Sequence, residues 1–308
     1  MPSPPVCFPE DTAVKVMRSC QLVEEPIQNL ALGDTVKCIS QTTKQISMCT
    51  VFAHFHPAKD AAIDVTYHEI SYVSSTSPEA SPSSITLSSN HLMYRLPPSY
   101  TIGSSHQTIP DFSSADGLVQ FPPAENIQVG DLIAVEDSTD ENFFLVGQVV
   151  KNEVVSRNGA YSPGVSDGLM LFADGAVASS LSLPPDDDPL AVLVNENIAQ
   201  YLMASIYRYF FSLIDTGVVD TTEFWGRTRD DPVYIQWENE NDNYWLGYMI
   251  THIIPTAFGA LQSNLTLTGS NAILFNDEVI KLTDWPLDEE VVADLLEKAY
   301  NDEISSLF

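Results

Sequence analysis

Through the first part of the chain, apolar and polar side chains alternate with a period of two, the spacing at which a strand turns one face to a core. The runs VKVM (14–17), TVKCIS (35–40), SMCTVFAHF (47–55) and IDVTYHEI (63–70) are alternating or β-branched, and turn residues separate them. They predict a series of short strands. A Ser/Pro-rich loop, 74–84, interrupts the pattern, and ITLSSNHLMYRL (85–96) resumes it. After a second loose stretch, 97–124, strand patterning returns from 126 to 181, broken by the acidic turn EDSTDEN (136–142).

The character changes at PPDDDP (184–189), where prolines resist both helix and sheet and adjacent aspartates repel one another. Beyond it, IAQYLMASIYRYFFSLI (198–214) has helical length. Gln200 and Arg208 inside it favour a buried or amphipathic helix over a membrane span. Aromatic residues Trp237, Tyr244, Trp245 and Tyr248 follow. Near the end, Asp284 is placed as an N-cap, Pro286 in the first turn, and Leu287, Val291, Leu295 and Ala299 recur every fourth position, which predicts a terminal helix. The expected layout is a leader (1–6), an all-β module (7–183), a linker (184–190) and a mixed, helix-rich C-terminal region (191–308) of unassigned role.

A repeat lies within the β module. NLALGDTV (29–36) and NIQVGDLI (126–133) share Asn, an aliphatic, an aliphatic, Gly-Asp and a closing aliphatic in the same order. In each copy the Gly-Asp pair fits a tight turn leading into a strand, with Gly supplying the unusual dihedral. Two copies are too few for a solenoid. They predict a duplicated β unit folded about a pseudo-twofold axis, against the alternative that two turns agree by chance.

Composition narrows the function. The 308 residues include 42 acidic and 13 basic side chains, a formal net charge of −29, and 44% are hydrophobic. That is a globular composition. It argues against a nucleic-acid partner, since phosphate contacts need a basic face. The acidity reads as a solvated surface. Cys7, Cys20, Cys38 and Cys49 all fall in the first fifty residues, with no CxxC pair and no zinc-ligand spacing. Four cysteines in this length are not expected to form a disulfide scaffold, and they leave the redox compartment open. The segment MPSPPV has neither a basic n-region nor an apolar h-region, so no signal peptide is read there. The one sequon, Asn264-Leu265-Thr266, is too short a match to argue secretion.

Several motifs now occur in a telling order: CFPEDTAV at the head of the β module, the LALGDTV turn, FAHFH, LSSNHLMY, the second Gly-Asp turn, and AYSPGVSDGLMLFADGAVASSLS. Together, across roughly residues 7–182, they resemble the autoprocessing domain of Hedgehog proteins, the Hint fold shared with inteins. The resemblance implies a self-processing protein that cleaves its own peptide bond. The Cys7 thiolate would attack the carbonyl of Val6, an N-to-S acyl shift that turns the amide into a thioester. His91, in Ser88-Ser89-Asn90-His91, stands where the family's Thr-x-x-His places the acid that protonates the departing nitrogen. Ser88 replaces the Thr and keeps its hydroxyl. His56 in FAHFH stands near the family's sterol-activating aspartate, as a candidate base. The thioester would then be resolved by water, a sterol or another alcohol. The substrate would be the chain's own N-terminal flanking segment, with no metal or diffusible cofactor. The family implies the secretory pathway.

The chain departs from the family's pattern at several points. Ser180 stands where Hedgehog proteins carry a cysteine, and the scissile bond follows β-branched Val6 rather than Gly. Only six residues precede Cys7, so the releasable ligand domain is not in this sequence. No His-Asn-nucleophile triplet appears near 180–200, which favours cleavage or ester transfer over splicing. Three rival readings stand beside this one. Imidazoles His54 and His56 at spacing two, with His68 and His91, form a candidate metal set. Asp215-Thr216-Gly217 resembles an aspartic-protease loop, but that chemistry needs two carboxylates. Finally, the module could be catalytically inert and serve in binding or structure.

Overall fold

The computed structural model describes residues 8–40, 43–54, 65–74, 81–109, 121–167, 170–182, 211, 215, 225–233, 236, 272–275 and 278–281. Strands form at each of the period-two runs, as β1 (Ala13–Arg18), β3 (Thr35–Ile39), β4 (Ile46–His54) and β5 (Val65–Val73); the 85–96 run is divided between β6 (Ser83–Ser88) and β7 (His91–Met93), and β2 (Gln21–Pro26), which no run marked, pairs with β1. They are followed by β8 (Arg95–Leu96), β9 (Ser105–His106), β10 (Leu132–Glu136), β11 (Phe144–Arg157), β12 (Pro163–Val165), β13 (Met170–Ala173) and β14 (Ala176–Ser182). Every pairing among them is antiparallel, in one continuous, strongly branched sheet. Alternation sets the faces: in β1, Val14 and Val16 are buried while Lys15 between them is not. In β3 the run Val36–Ile39 is buried on both faces, Lys37 included. Lys37 tolerates this because its ammonium sits 2.6 Å from Glu136 and 4.9 Å from the centroid of the Phe172 ring.

The duplication is real and extends well beyond the shared letters. Each copy begins at a proline, Pro26 or Pro123, and makes one 3-10 turn, Ile27–Asn29 or Ala124–Asn126. In the first, the Asp34 carboxylate accepts from the Ala31 N–H at 2.8 Å; in the second, Asp131 accepts from Gln128 N–H at 2.8 Å. Gly33 (φ 87°) and Gly130 (φ 100°) take the left-handed conformation that the tight turn requires. The Gly33 N–H then donates to Val51 O at 2.8 Å, and that of Gly130 to Val149 O at 2.9 Å. An arginine answers each aspartate, Arg18 on Asp34 and Arg95 on Asp131. The hairpin β3–β4 after the first turn thus matches β10–β11 after the second. Chance agreement between two turns would not reproduce the 3-10 turn, the amide bond to Asp and the donating Gly N–H at positions that all differ by 97 residues.

The cysteines do not make a disulfide scaffold, but two of them form a single cross-link that no sequence motif announced. Cys38 on β3 and Cys49 on β4 are joined by a disulfide, with Cα atoms 5.9 Å apart. The hairpin register sets Val36 opposite Cys49 and Cys38 opposite Ser47, so the two cysteines are diagonal neighbours on one buried face. Their separation of 11 residues made no recognisable motif; only the register brings them together. Replacing both by alanine is expected to lower stability by about 2–3 kcal/mol through the freed loop, read as a lower urea midpoint. An unchanged midpoint would show that the cross-link contributes nothing.

Past the linker, a two-stranded hairpin, β15 (Ala272–Phe275) and β16 (Glu278–Lys281), forms in the region expected to be mixed and helix-rich. The 184–190 linker, most of 198–214 and the terminal helix from Asp284 lie outside the described residues.

Candidate functional site

The site is built where the start of the β module enters the core. Phe8 is fully buried. Its N–H donates to Tyr161 O and its carbonyl accepts from Tyr161 N–H, both at 2.9 Å. Glu10 N–H donates to Asn158 O at 3.1 Å, continuing the pairing for one more step. Cys7 itself lies outside the described residues, as does His56. Cys7 is nevertheless covalently bound to a residue whose backbone and ring are both fixed.

The turn from β6 to β7 supplies the histidine; β6 pairs with β5 and β7 with β14. Ser88 ends β6, Ser89 and Asn90 form the turn, and His91 begins β7. A two-residue turn holds the first and fourth residues within roughly 7 Å between Cα atoms, so Ser88 and His91 are close neighbours, and both are buried. The turn is held in place by Glu125 N–H donating to Ser89 O at 3.1 Å and by Met93 N–H donating to Pro122 O at 3.0 Å. The His91 ring lies edge-on to the Phe8 ring, centroids 4.4 Å apart. The imidazole of one segment and the residue bonded to Cys7 are therefore in contact, across more than eighty positions of sequence.

The other side of the imidazole faces β14. His91 Nε2 is hydrogen-bonded to the Ser179 carbonyl. A carbonyl only accepts, so Nε2 carries the hydrogen. That leaves Nδ1, shielded from solvent, as the atom at which a proton can be taken or given. The pairing of β14 with β7 is irregular between Ala178 and Ser182, the span that contains Ser179 and Ser180. Ser180 is 1% exposed, its Oγ has no hydrogen-bond partner among the described residues, and its carbonyl accepts from Ser162 Oγ at 3.1 Å.

His54 closes the far edge. It ends β4 and pairs with Pro163 of β12, two residues past the Tyr161 that holds Phe8. Its Nε2 is sealed from solvent. Burial, reinforced by the charge of Arg229, pushes its pKa down to about 4. Tyr161 is pushed the other way: burial and the bond to Asp230 hold its phenol well above the ordinary value.

Of the residues singled out from sequence, Ser88 and His91 are brought together at the entry of the Phe8 strand. Of the metal rival's histidines, His56 lies outside the described residues and His68 Nδ1 lies 2.9 Å from Asn152 Oδ1; among the described residues no three His, Cys, Asp or Glu side chains converge. Asp215 is helical and exposed, while Thr216 and Gly217 lie outside the described residues. Among the described residues no helix is long and apolar enough to cross a membrane. Sequence reasoning missed Tyr161, Ser162 and Ser179, although the AYSPG and VASS runs contain them.

A family model described as the Hint module matches residues 4–221. Solved structures similar to this chain include the gp41-1 intein (14% identity, 56% of this chain and 98% of that one, TM-score 0.36). A bacterial intein-like domain from Clostridium thermocellum is also similar (16% identity, 56% and 96%, TM-score 0.36). So is a DnaB intein from Synechocystis sp. PCC 6803 (11% identity, 56% and 97%, TM-score 0.36). Curated proteins show no match.

Proposed function

We propose, on the premise that this chain belongs to the Hint family, that it cleaves its own backbone at Val6–Cys7. The family's chemistry is autoprocessing or self-splicing; the finer reading here is Hedgehog-type cleavage or ester transfer. The Cys7 sulfur bonds to the Val6 carbonyl carbon, the Val6–Cys7 C–N bond breaks, and the freed amine of Cys7 takes a proton. His91 Nδ1 is the donor, Ser88 assists at the strained amide, and a histidine of the FAHFH run, His56, is the base. Water or an alcohol such as a sterol then attacks the thioester carbonyl and returns the Cys7 thiol.

The observation that carries this reading is the contact of the His91 ring with Phe8, the residue bonded to Cys7. An acid for the leaving amine has to lie within hydrogen-bond reach of it or one water away, and a ring packed against the next residue meets that requirement in outline. The absence of a His-Asn-nucleophile triplet near 180–200 supports cleavage over splicing. The Cys38–Cys49 bond supports folding in an oxidising compartment.

The test is a stable domain fused ahead of residue 1 of the full chain, incubated with dithiothreitol or hydroxylamine. Release of the fused domain on a gel is expected, with complete loss in Cys7→Ala. No release from the wild-type fusion under either nucleophile would replace this proposal with an inert Hint module acting in binding or structure.

A further inference from the structure

Residues 225–231 come from beyond the matched Hint segment, yet they are stitched to one of its two Gly-Asp turns. Gly226 N–H donates to Leu32 O at 2.8 Å, and Leu32 N–H donates to Arg227 O at 3.0 Å. Thr228 bridges Ala31. The Trp225 ring covers Gly33 so closely that a Cβ there would meet its Cε3 at 2.6 Å. The symmetry-related Gly130 has nothing within 4 Å of the same position. The segment therefore breaks the pseudo-twofold on one side only, the side where Phe8 enters.

From that turn the segment reaches the strand that holds Phe8. Arg229 is 1% exposed. Its guanidinium carbon lies 3.5 Å from the Tyr161 ring centroid, and Nη1 donates to the Ala160 carbonyl. Arg229 Nε donates to Asp230 Oδ1 at 3.0 Å, and the Tyr161 hydroxyl donates to Asp230 Oδ2 at 2.8 Å. Tyr161 in turn exchanges both backbone hydrogen bonds with Phe8. A buried guanidinium is costly unless its fork is used; here it is used on the Ala160 carbonyl and on Asp230, which in turn accepts from the Tyr161 that holds Phe8.

We infer that residues 225–231 are a clasp that holds the Phe8 end of the processing site in register, with Arg229 as the positioning residue acting through Tyr161. This rests on the reading of Cys7 as the nucleophile for its functional consequence, but not for its structural one. A shift of the entering strand would move the Val6–Cys7 bond relative to His91, and small misplacements of reacting groups cost large factors in rate. The clasp thus makes the region after the Hint module a working part of the site.

The experiment uses the full-chain fusion with Arg229→Met, which keeps the aliphatic stem, and Arg229→Lys, which keeps the charge without the fork. Amide hydrogen exchange is followed at Phe8 and Tyr161, with Ile70 and Val149 as core references. Arg229→Met is expected to speed exchange at Phe8 and Tyr161 at least tenfold while the references hold, with partial rescue in Arg229→Lys. Release is followed against dithiothreitol concentration: the plateau rate is expected to fall about tenfold while the half-saturating concentration stays put. Should Arg229→Met not fold, Trp225→Ala loosens the same clasp from a half-exposed position and is expected to shift the same two amides. Unchanged exchange at Phe8 and Tyr161, or equal acceleration at the references, overturns the clasp. Loosened amides with an unchanged plateau rate overturn the positioning role. A wild-type fusion that releases nothing, with selective loosening in Arg229→Met, keeps the clasp and removes only the acyl-shift reading.

Discussion

Replacing His91 by phenylalanine is expected to slow thiol-induced release by about 10²–10⁴-fold, the range a positioned general acid supplies. The choice of phenylalanine matters. His91 is fully buried and its ring packs edge-on against Phe8 at 4.4 Å, so alanine would leave a hole beside the very strand whose position is at issue. An aromatic ring keeps much of that packing and removes both nitrogens. It also strands the Ser179 carbonyl that accepts from Nε2, at a cost of about 1–3 kcal/mol in stability. The two losses separate cleanly: melting reports the orphaned carbonyl, and the release rate at a temperature well below the midpoint reports the acid. His91→Gln keeps a donor for Ser179 but cannot deliver a proton, so it is expected to recover stability and not rate. A folded His91→Phe protein releasing within threefold of wild type would reduce His91 to a core histidine bonded to a carbonyl.

What the sequence made legible was whatever is decided by local chemistry. The two Gly-Asp turns could be read because each step is local: a residue free to take positive φ at Gly33 and Gly130, then an aspartate able to accept from the N–H three residues back. The turn at Ser89-Asn90 was not legible: 85–96 reads as one strand, because its apolar residues continue on both sides of the break between β6 and β7. Whatever depends on register was not legible either. Cys38 and Cys49 become neighbours only when β3 and β4 pair two residues out of line. His54 and His56 lie at the period of one strand face, so patterning cannot choose between them; in the structure His54 Nε2 is closed off from solvent, while His56 lies outside the described residues. The Ser179 carbonyl is a backbone group and has no residue-level signature at all. The segment WGRTRDD (225–231) reads as a polar loop, and only its partners Leu32, Ala160 and Tyr161 show why it carries two arginines and two aspartates.

Between pH 6 and 4 the wild-type protein is expected to show two opposing titrations that conceal each other. Burial, with the charge of Arg229 second, holds His54 down at about 4 against an ordinary 6.5. Its folded form stays neutral where the unfolded chain binds a proton. Its contribution to stability is therefore complete above pH 6.5 and is lost as pH falls through 4. Burial holds Asp174 up at about 6 against an ordinary 3.8, despite the Ala13 N–H that donates to it at 2.8 Å. Its folded form stays protonated where the unfolded chain has ionised. That contribution is complete below pH 3.8 and is lost as pH rises through 6. Each unit of difference is worth about 1.4 kcal/mol, so each group carries on the order of 3 kcal/mol across its window, with opposite slope. Single variants expose the pair. His54→Gln removes the acid-labile member, and urea stability is expected to rise as pH falls from 6 to 4. Asp174→Asn keeps an oxygen for Ala13 N–H and tolerates the φ of 47° at that turn; its stability is expected to fall over the same range. Profiles that run parallel to wild type in both variants would show that neither group is held in the protonation state its surroundings impose. Asp174 accepts from Ala13 at the start of β1, and His54 lies close enough to Arg229 of the clasp to feel its charge. Moderate acid should therefore loosen the clasp while it tightens the anchor of β1, and hydrogen exchange at Tyr161 and Ala13 should move in opposite directions between pH 6 and 4.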